Sequence, residues 1–119
     1  MTVPSPIHLD PAAPAGEHGE VSPDKVLSGH PVPTATTNLY SDRTGRFHCG
    51  FWESGAGRWR VSYAEDELCT ILSGEVRLES EDGGTWGYGP GDSFVIPAGF
   101  KGTWKSIGPV RKLYVIHEG

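Results

Sequence analysis

Polar and apolar positions alternate along this chain in short runs. Glu75-Val76-Arg77-Leu78-Glu79-Ser80 sets a polar residue at every second position with an aliphatic residue between, the two-residue period of a strand with one face in solvent. Leu68-Cys69-Thr70-Ile71-Leu72 is an apolar run bounded by Gly74, as expected of a strand buried on both faces or nearly so. Runs of strand character also cover 38–41, 47–52, 58–63, 85–88, 93–96, 103–107 and 110–117. Between them stand Asp42-Arg43-Thr44-Gly45, Glu53-Ser54-Gly55-Ala56-Gly57, Asp82-Gly83-Gly84, Gly89-Pro90-Gly91-Asp92, Pro97-Ala98-Gly99 and Gly108-Pro109. These are turn sequences, because glycine tolerates positive φ and proline cannot extend a hydrogen-bonded ladder. About eight short antiparallel strands at this spacing predict an all-β sandwich or barrel, which leaves few free edges.

Composition adds a boundary to this picture. The 119 residues suffice for one domain and one core. Seven of the ten prolines precede residue 36 (Pro4, Pro6, Pro11, Pro14, Pro23, Pro31 and Pro33). Proline fixes φ and removes a donor, so such a segment builds neither a sheet interior nor a long helix. Residues 1–35 therefore read as an extended Pro/Ala/Gly-rich arm and residues 36–119 as the barrel. Val26 and Leu27 are candidate anchors for the arm, which is either disordered or laid along its own barrel or a second subunit.

Charge and cysteine usage exclude several classes. A net charge of −5 provides no broad basic face for nucleic acid. No apolar run reaches 18 residues, and Met1-Thr2-Val3-Pro4 does not open a secretory leader, so a cytoplasmic protein with no membrane partner is expected. Cys49 and Cys69 are too far apart for a Cys-x-x-Cys pair and are expected to be buried free thiols.

Three stretches carry a resemblance. Glu67-Leu68-Cys69-Thr70-Ile71-Leu72-Ser73-Gly74 is followed by Gly91-Asp92-Ser93-Phe94-Val95-Ile96-Pro97-Ala98-Gly99 with Gly102-Thr103-Trp104, and by Arg111-Lys112-Leu113-Tyr114-Val115-Ile116. Over residues 47–117 the chain resembles the small single-domain cupins, in the subgroup similar to the cupin domains of ureidoglycine aminohydrolase and of the ethanolamine-utilisation cupin. The resemblance implies a double-stranded β-helix, or jelly-roll barrel, and a homodimer. It also implies a site built on two motifs: His-x-His ahead of a glutamate, and a histidine three residues after Pro-x-Gly. Here Glu67 matches the glutamate, the histidine pair falls on Arg60 and Ser62 or on Val61 and Tyr63, and the last histidine falls on Gly102.

One carboxylate of four ligands cannot hold a divalent ion tightly. No metal and no cofactor are therefore expected, with His48 and His117 the remaining unconventional donors. The barrel interior is then lined by aromatic candidates: Trp59, Tyr63, Tyr88, Phe94, Trp104 and Tyr114. Glu67, Arg60 and Lys101 supply polar groups above them, and a buried Glu67 needs Arg60 or a tyrosine hydroxyl as partner. Two readings follow. One is a metal-independent cupin binding a small polar metabolite through Glu67, Arg60, Tyr63, Trp59, Lys101, Trp104 and Tyr114. The other is an enzyme of ureide, amino or sugar-derived metabolism with Glu67 as general acid or base and Tyr63 or Lys101 assisting. Leu68, Thr70 and Leu72 form an outward apolar face suited to a twin subunit.

Overall fold

The structure, a computed structural model, describes residues 3–119; Met1 and Thr2, the start of the expected arm, lie outside the described residues. Nine strands form one continuous hydrogen-bonded sheet: β1 Glu17–Glu20, β2 Val26–Ser28, β3 Pro33–Ser41, β4 Phe47–Ser54, β5 Gly57–Ser62, β6 Asp66–Ser80, β7 Thr85–Tyr88, β8 Ser93–Ile96 and β9 Lys101–His117. A single 3-10 turn, Pro23–Lys25, interrupts them. The all-β jelly roll expected from the alternation is what the chain forms.

The sheet doubles over because β6 and β9 each bend halfway. The first part of β6 pairs with β8, and its second part pairs with β7. The second part of β9 lies between β4 and β6, and its first part between β5 and β6. The four runs expected at 68–72, 75–80, 103–107 and 110–117 are thus two long bent strands. Gly74 (φ 84°) and Gly108 (φ 73°) act as bulges in a ladder that continues past them.

Strand alternation then fixes what lies between the layers. Glu67, Cys69 and Ile71 of β6 face inward, while Leu68 and Leu72 face out. Past the bend Val76 and Leu78 face inward, so both halves of β6 feed one core with Trp59, Ile96, Trp104 and Val110. Each fully buried aliphatic or aromatic side chain of this kind contributes roughly 1.5–3 kcal/mol.

The body begins earlier than residue 36. Val32 is fully buried in the core, β1 pairs with β3, and β2 pairs with β5. The second half of the arm therefore belongs to its own barrel, because short edge strands accommodate the prolines that flank them. Further forward, Gly16 N–H donates to Thr36 O, and Thr37 Oγ1 donates to Pro14 O. This lays Ala13 and Ala15 beside Ala35, Thr37 and Phe51 on the outside of the first layer.

At the β6 bend a Cβ on residue 74 would lie 2.2 Å from Pro109 O, in a φ region that side chains disfavour. Gly74→Ala is expected to destabilise the chain by at least about 2 kcal/mol. A lower urea midpoint at unchanged slope checks this; an unchanged midpoint would show that the corner yields.

Candidate functional site

The inward face of the first layer is a set of cross-strand rows. Thr36, Trp52, Lys112 and Ile71 form one row; Asn38, Gly50, Tyr114 and Cys69 form the next; His48, Ile116 and Glu67 form the third. Gly50 has no side chain in the middle row, where a Cβ would lie 2.0 Å from Thr37 O, and Tyr114 reaches past it to donate its hydroxyl to Asn38 Oδ1 at 2.7 Å. Trp59 and Trp104 come from the second layer, paired with each other across β5 and β9. All of these but Ile71, Gly50 and Cys69, together with Tyr63, line an open-mouthed cavity of about 450 Å³.

A buried ion pair forms one wall of it. Lys112 Nζ donates to Glu67 Oε2 at 2.6 Å, with the two side chains 8% and 7% exposed. The Cys69 thiol, between them on the inner face, donates to the same carboxylate oxygen at 3.1 Å. Lys112 Nζ also lies 4.9 Å from the Trp52 ring centre and 4.6 Å from that of Trp104. Two indole faces and a carboxylate replace the water an ammonium would otherwise hold.

Titration follows from this enclosure. Burial opposes the charge of Lys112, yet its neighbours Cys69, Glu67 and Tyr63 outweigh it and raise its pKa above the ordinary lysine value. At neutral pH the thiol and phenol are protonated, so Glu67 is the negative charge of that group. Burial pushes the Cys69 thiol up to about 12, with Glu67 adding to the effect. Burial likewise raises Tyr63 well above its usual value and Tyr114 to about 12. Both phenols are neutral hydrogen-bonding groups.

Of the residues expected at the site, Trp59, Tyr63, Glu67, Trp104 and Tyr114 line the cavity. Arg60 and Lys101 do not. Trp59 and Trp104 point inward, so alternation sends Arg60 and Lys101 outward into solvent. The Arg60 guanidinium donates to the Asp24 carbonyl instead. The partner expected for Glu67 was Arg60 or a tyrosine hydroxyl; Lys112 takes that place. Lys112, Trp52, Thr36, Asn38 and Ile116 are lining residues that the sequence reading does not name as such, and His48, named there only as an unconventional donor, lines the rim. Parity carried the signal for two of them, since 112 and 116 share a strand face with the inward candidate Tyr114. Phe94 packs in the core stacked on Tyr88 with ring centres 3.9 Å apart, beside a separate surface groove.

The donor set does not fit a divalent ion. Among the described residues no three His, Cys, Asp or Glu side chains converge. Alternation with Trp59 sets Val61 and Tyr63, the alternative positions of the histidine pair, on the inner face, and neither is a ligand of the usual kind. At 102 a Cβ would lie 1.9 Å from Glu79 O, so the backbone leaves no room for a side chain. His48 is committed at the rim: Nδ1 is 2.7 Å from Ser41 Oγ, and Nε2 is 2.9 Å from Gly45 O and 3.0 Å from Glu118 Oε2. His117 is exposed at the end of β9. Cys49 and Cys69 are free and buried.

Residues 41–114 match a family model described as EutQ-like cupin domain. The chain belongs to that family. This cupin is similar to a DUF861-family protein of unknown function from Pseudomonas syringae pv. tomato, at 26% identity and TM-score 0.83, over 91% of this chain and 46% of that one. The chain thus spans about half the length of that relative. It is also similar to a putative ethanolamine utilization protein EutQ from Salmonella typhimurium, at 26% identity and TM-score 0.65, over 83% of this chain and 78% of that one. A DUF861-family protein from Thermotoga maritima is 36% identical with TM-score 0.53, over 54% of this chain and 73% of that one. No curated protein matches this cupin. Among its described residues no helix is long and apolar enough to cross a membrane.

Removing one partner of a buried ion pair strands the other charge. Glu67→Leu and Lys112→Met are each expected to cost about 3–5 kcal/mol, and the double variant much less than their sum. A urea double-mutant cycle measures this coupling; additive losses would mean the two groups do not interact.

Alkaline pH gives a second test. The folded chain holds the Cys69, Tyr63 and Lys112 protons at pH values where the unfolded chain has lost them, so stability is full below about pH 8.5 and falls as pH rises. The urea midpoint is expected to drop between pH 8 and pH 10.5, with a shallower drop in Cys69→Ala; equal slopes would remove the thiol from this account.

Proposed function

We propose that the barrel cavity of this cupin binds a small metabolite without a metal, anchored at Glu67. The observation that carries this reading is the Glu67–Lys112 pair at the wall of an aromatic cavity of about 450 Å³. Small-molecule sites have this make-up: mostly apolar and aromatic walls with a few fixed polar groups. Where a cation would sit beside the motif glutamate, the ammonium of Lys112 already stands.

A catalytic reading uses the same carboxylate. Glu67 Oε2 is occupied by Lys112 and Cys69, whereas Oε1 has no partner among the described residues. A free carboxylate oxygen beside the Tyr63 phenol is a general acid–base arrangement, and Tyr63 is the assisting group because Lys101 faces solvent. Turnover of a bound compound would select this reading over simple binding.

The proposed partner, besides the ligand, is a second copy of the chain. Leu68, Leu72 and Val95 stand 38%, 37% and 57% exposed on the outside of the first layer, beside the half of that face covered by the N-terminal segment. An apolar sheet face of this kind pairs isologously with its twin. Two free buried thiols agree with a reducing cytoplasm.

Four indole N–H signals test the cavity. Trp52, Trp59 and Trp104 line it, and Trp86, exposed beside a different groove, is the internal control. A metabolite panel is expected to yield a compound that shifts the first three signals and leaves Trp86 in place. A panel that moves none of the three overturns the reading. Light scattering at micromolar concentration is expected to give twice the chain mass, and a monomer mass would remove the dimer.

A further inference from the structure

Three features of the cavity narrow what it can hold: its charge balance, its open bonding positions and the shape of its walls.

Charge is balanced before any ligand enters. Glu67 and Lys112 neutralise each other at 2.6 Å, and the His48 ring nitrogens are engaged with Ser41, Gly45 and Glu118. A ligand bearing a net charge would have to leave water with no counter-charge free to receive it, a cost that burial makes large. Neutral ligands avoid that cost.

Bonding capacity is lopsided. Two of the three Lys112 N–H donors have acceptors, Glu67 Oε2 and, weakly, Cys69 Sγ at 3.7 Å, and the ammonium packs against the faces of Trp52 and Trp104. Glu67 Oε1 is different. Among the described residues it has no partner, yet no fully enclosed side-chain nitrogen or oxygen there lacks one. Oε1 is therefore open to the cavity as its charged acceptor, alongside the neutral hydroxyls of Thr36 and Tyr63 in the lining. A carboxylate oxygen takes an N–H or O–H and repels another anion.

The walls favour flat molecules. Trp59 and Trp104 are stacked with planes 27° apart and ring centres separated by 6.5 Å, and Trp52 stands edge-on to Trp104 at 84°. Tyr63 and Tyr114 add two further rings. Offset stacking and edge-to-face contacts with such walls are available to an unsaturated ring and largely lost to a puckered polyol.

We infer that the cavity selects a neutral, flat, unsaturated ring carrying an N–H or O–H that donates to Glu67 Oε1. This rests on the reading of the cavity as a binding site, and it excludes carboxylates, phosphates and sugars from it. The shared chemistry is that of phenols and N–H heterocycles.

Phenol and toluene separate the contributions, because they share a shape and differ in the donor. Titrated into the full chain and followed on the indole N–H signals, phenol and indole are expected to shift Trp52, Trp59 and Trp104 with Trp86 unmoved. Toluene is expected to bind at least tenfold more weakly than phenol, since a hydrogen bond to an ionised group is lost. Benzoate and glucose are expected to shift nothing. Toluene binding as well as phenol, or better, would overturn the anchoring role of Oε1. Benzoate or glucose moving the three cavity signals would overturn the ligand class while leaving the binding site in place. If no probe of any class moves them, both the class and the site fall.

Discussion

A lysine ammonium held between two indoles against a glutamate is the constraint on which this barrel turns. Glu67 lies on β6 and Lys112 on β9, the two long strands that pass through both layers. Their meeting at 2.6 Å therefore ties the pair of strands whose bends close the sheet. Trp52 from β4 and Trp104 from the opposite layer complete the enclosure, so the charge is shielded by side chains from both sides of the roll. An ammonium stripped of water tolerates little displacement from its partner, and this makes the inner face around it a fixed surface.

Most of the fold could be read from alternation and turn chemistry, because both act over a few residues. The alternation in residues 75–80 and the glycine turns at Gly83 and Gly91 reappear as strand and turn, with φ of 96° and 89° at those glycines. What alternation does not report is whether a positive-φ glycine ends a strand or bends it. Gly74 and Gly108 bend theirs, because a partner strand continues on the far side of each, a fact of tertiary pairing. The inner end of the arm follows its own barrel, one of the expected placements, for a similar reason. Proline density describes what a segment cannot build alone, and says nothing of the edge strands β3 and β5 that recruit β1 and β2.

The site was half legible. Glu67 and the aromatic lining follow from a motif and from parity, whereas the choice of cation depends on the register between strands. Arg60 and Lys112 are both basic residues within apolar runs, yet one sits beside the inward Trp59 and the other shares a face with the inward Tyr114. Parity separates them as soon as one aromatic on each strand is assigned to the interior. A lysine at an inward position conflicts with binary patterning, and such local conflicts are where function is expected to lie. Gly102 shows the opposite case: the backbone of Glu79 occupies the volume a histidine would need, so the loss of that ligand is built into the strand spacing.

Stability alone does not account for the ion pair, since well-packed apolar residues of the same volume often serve a core as well or better. What the pair supplies is a hydrogen-bonding role. A carboxyl group buried without a cation takes up a proton and becomes a donor; beside an ammonium it remains an acceptor. By engaging Oε2 from one side, together with the Cys69 thiol, Lys112 leaves Oε1 facing the cavity and determines which sense of hydrogen bond the cavity offers. A metal at the same carboxylate would present a Lewis acid to an incoming lone pair. The ammonium, held by Glu67 Oε2 and Cys69, leaves Glu67 Oε1 and the ring faces around it as the groups that the proposed ligand would meet. On the proposed reading, an ammonium rather than a metal beside Glu67 would make the barrel an acceptor of hydrogen bonds from its ligand.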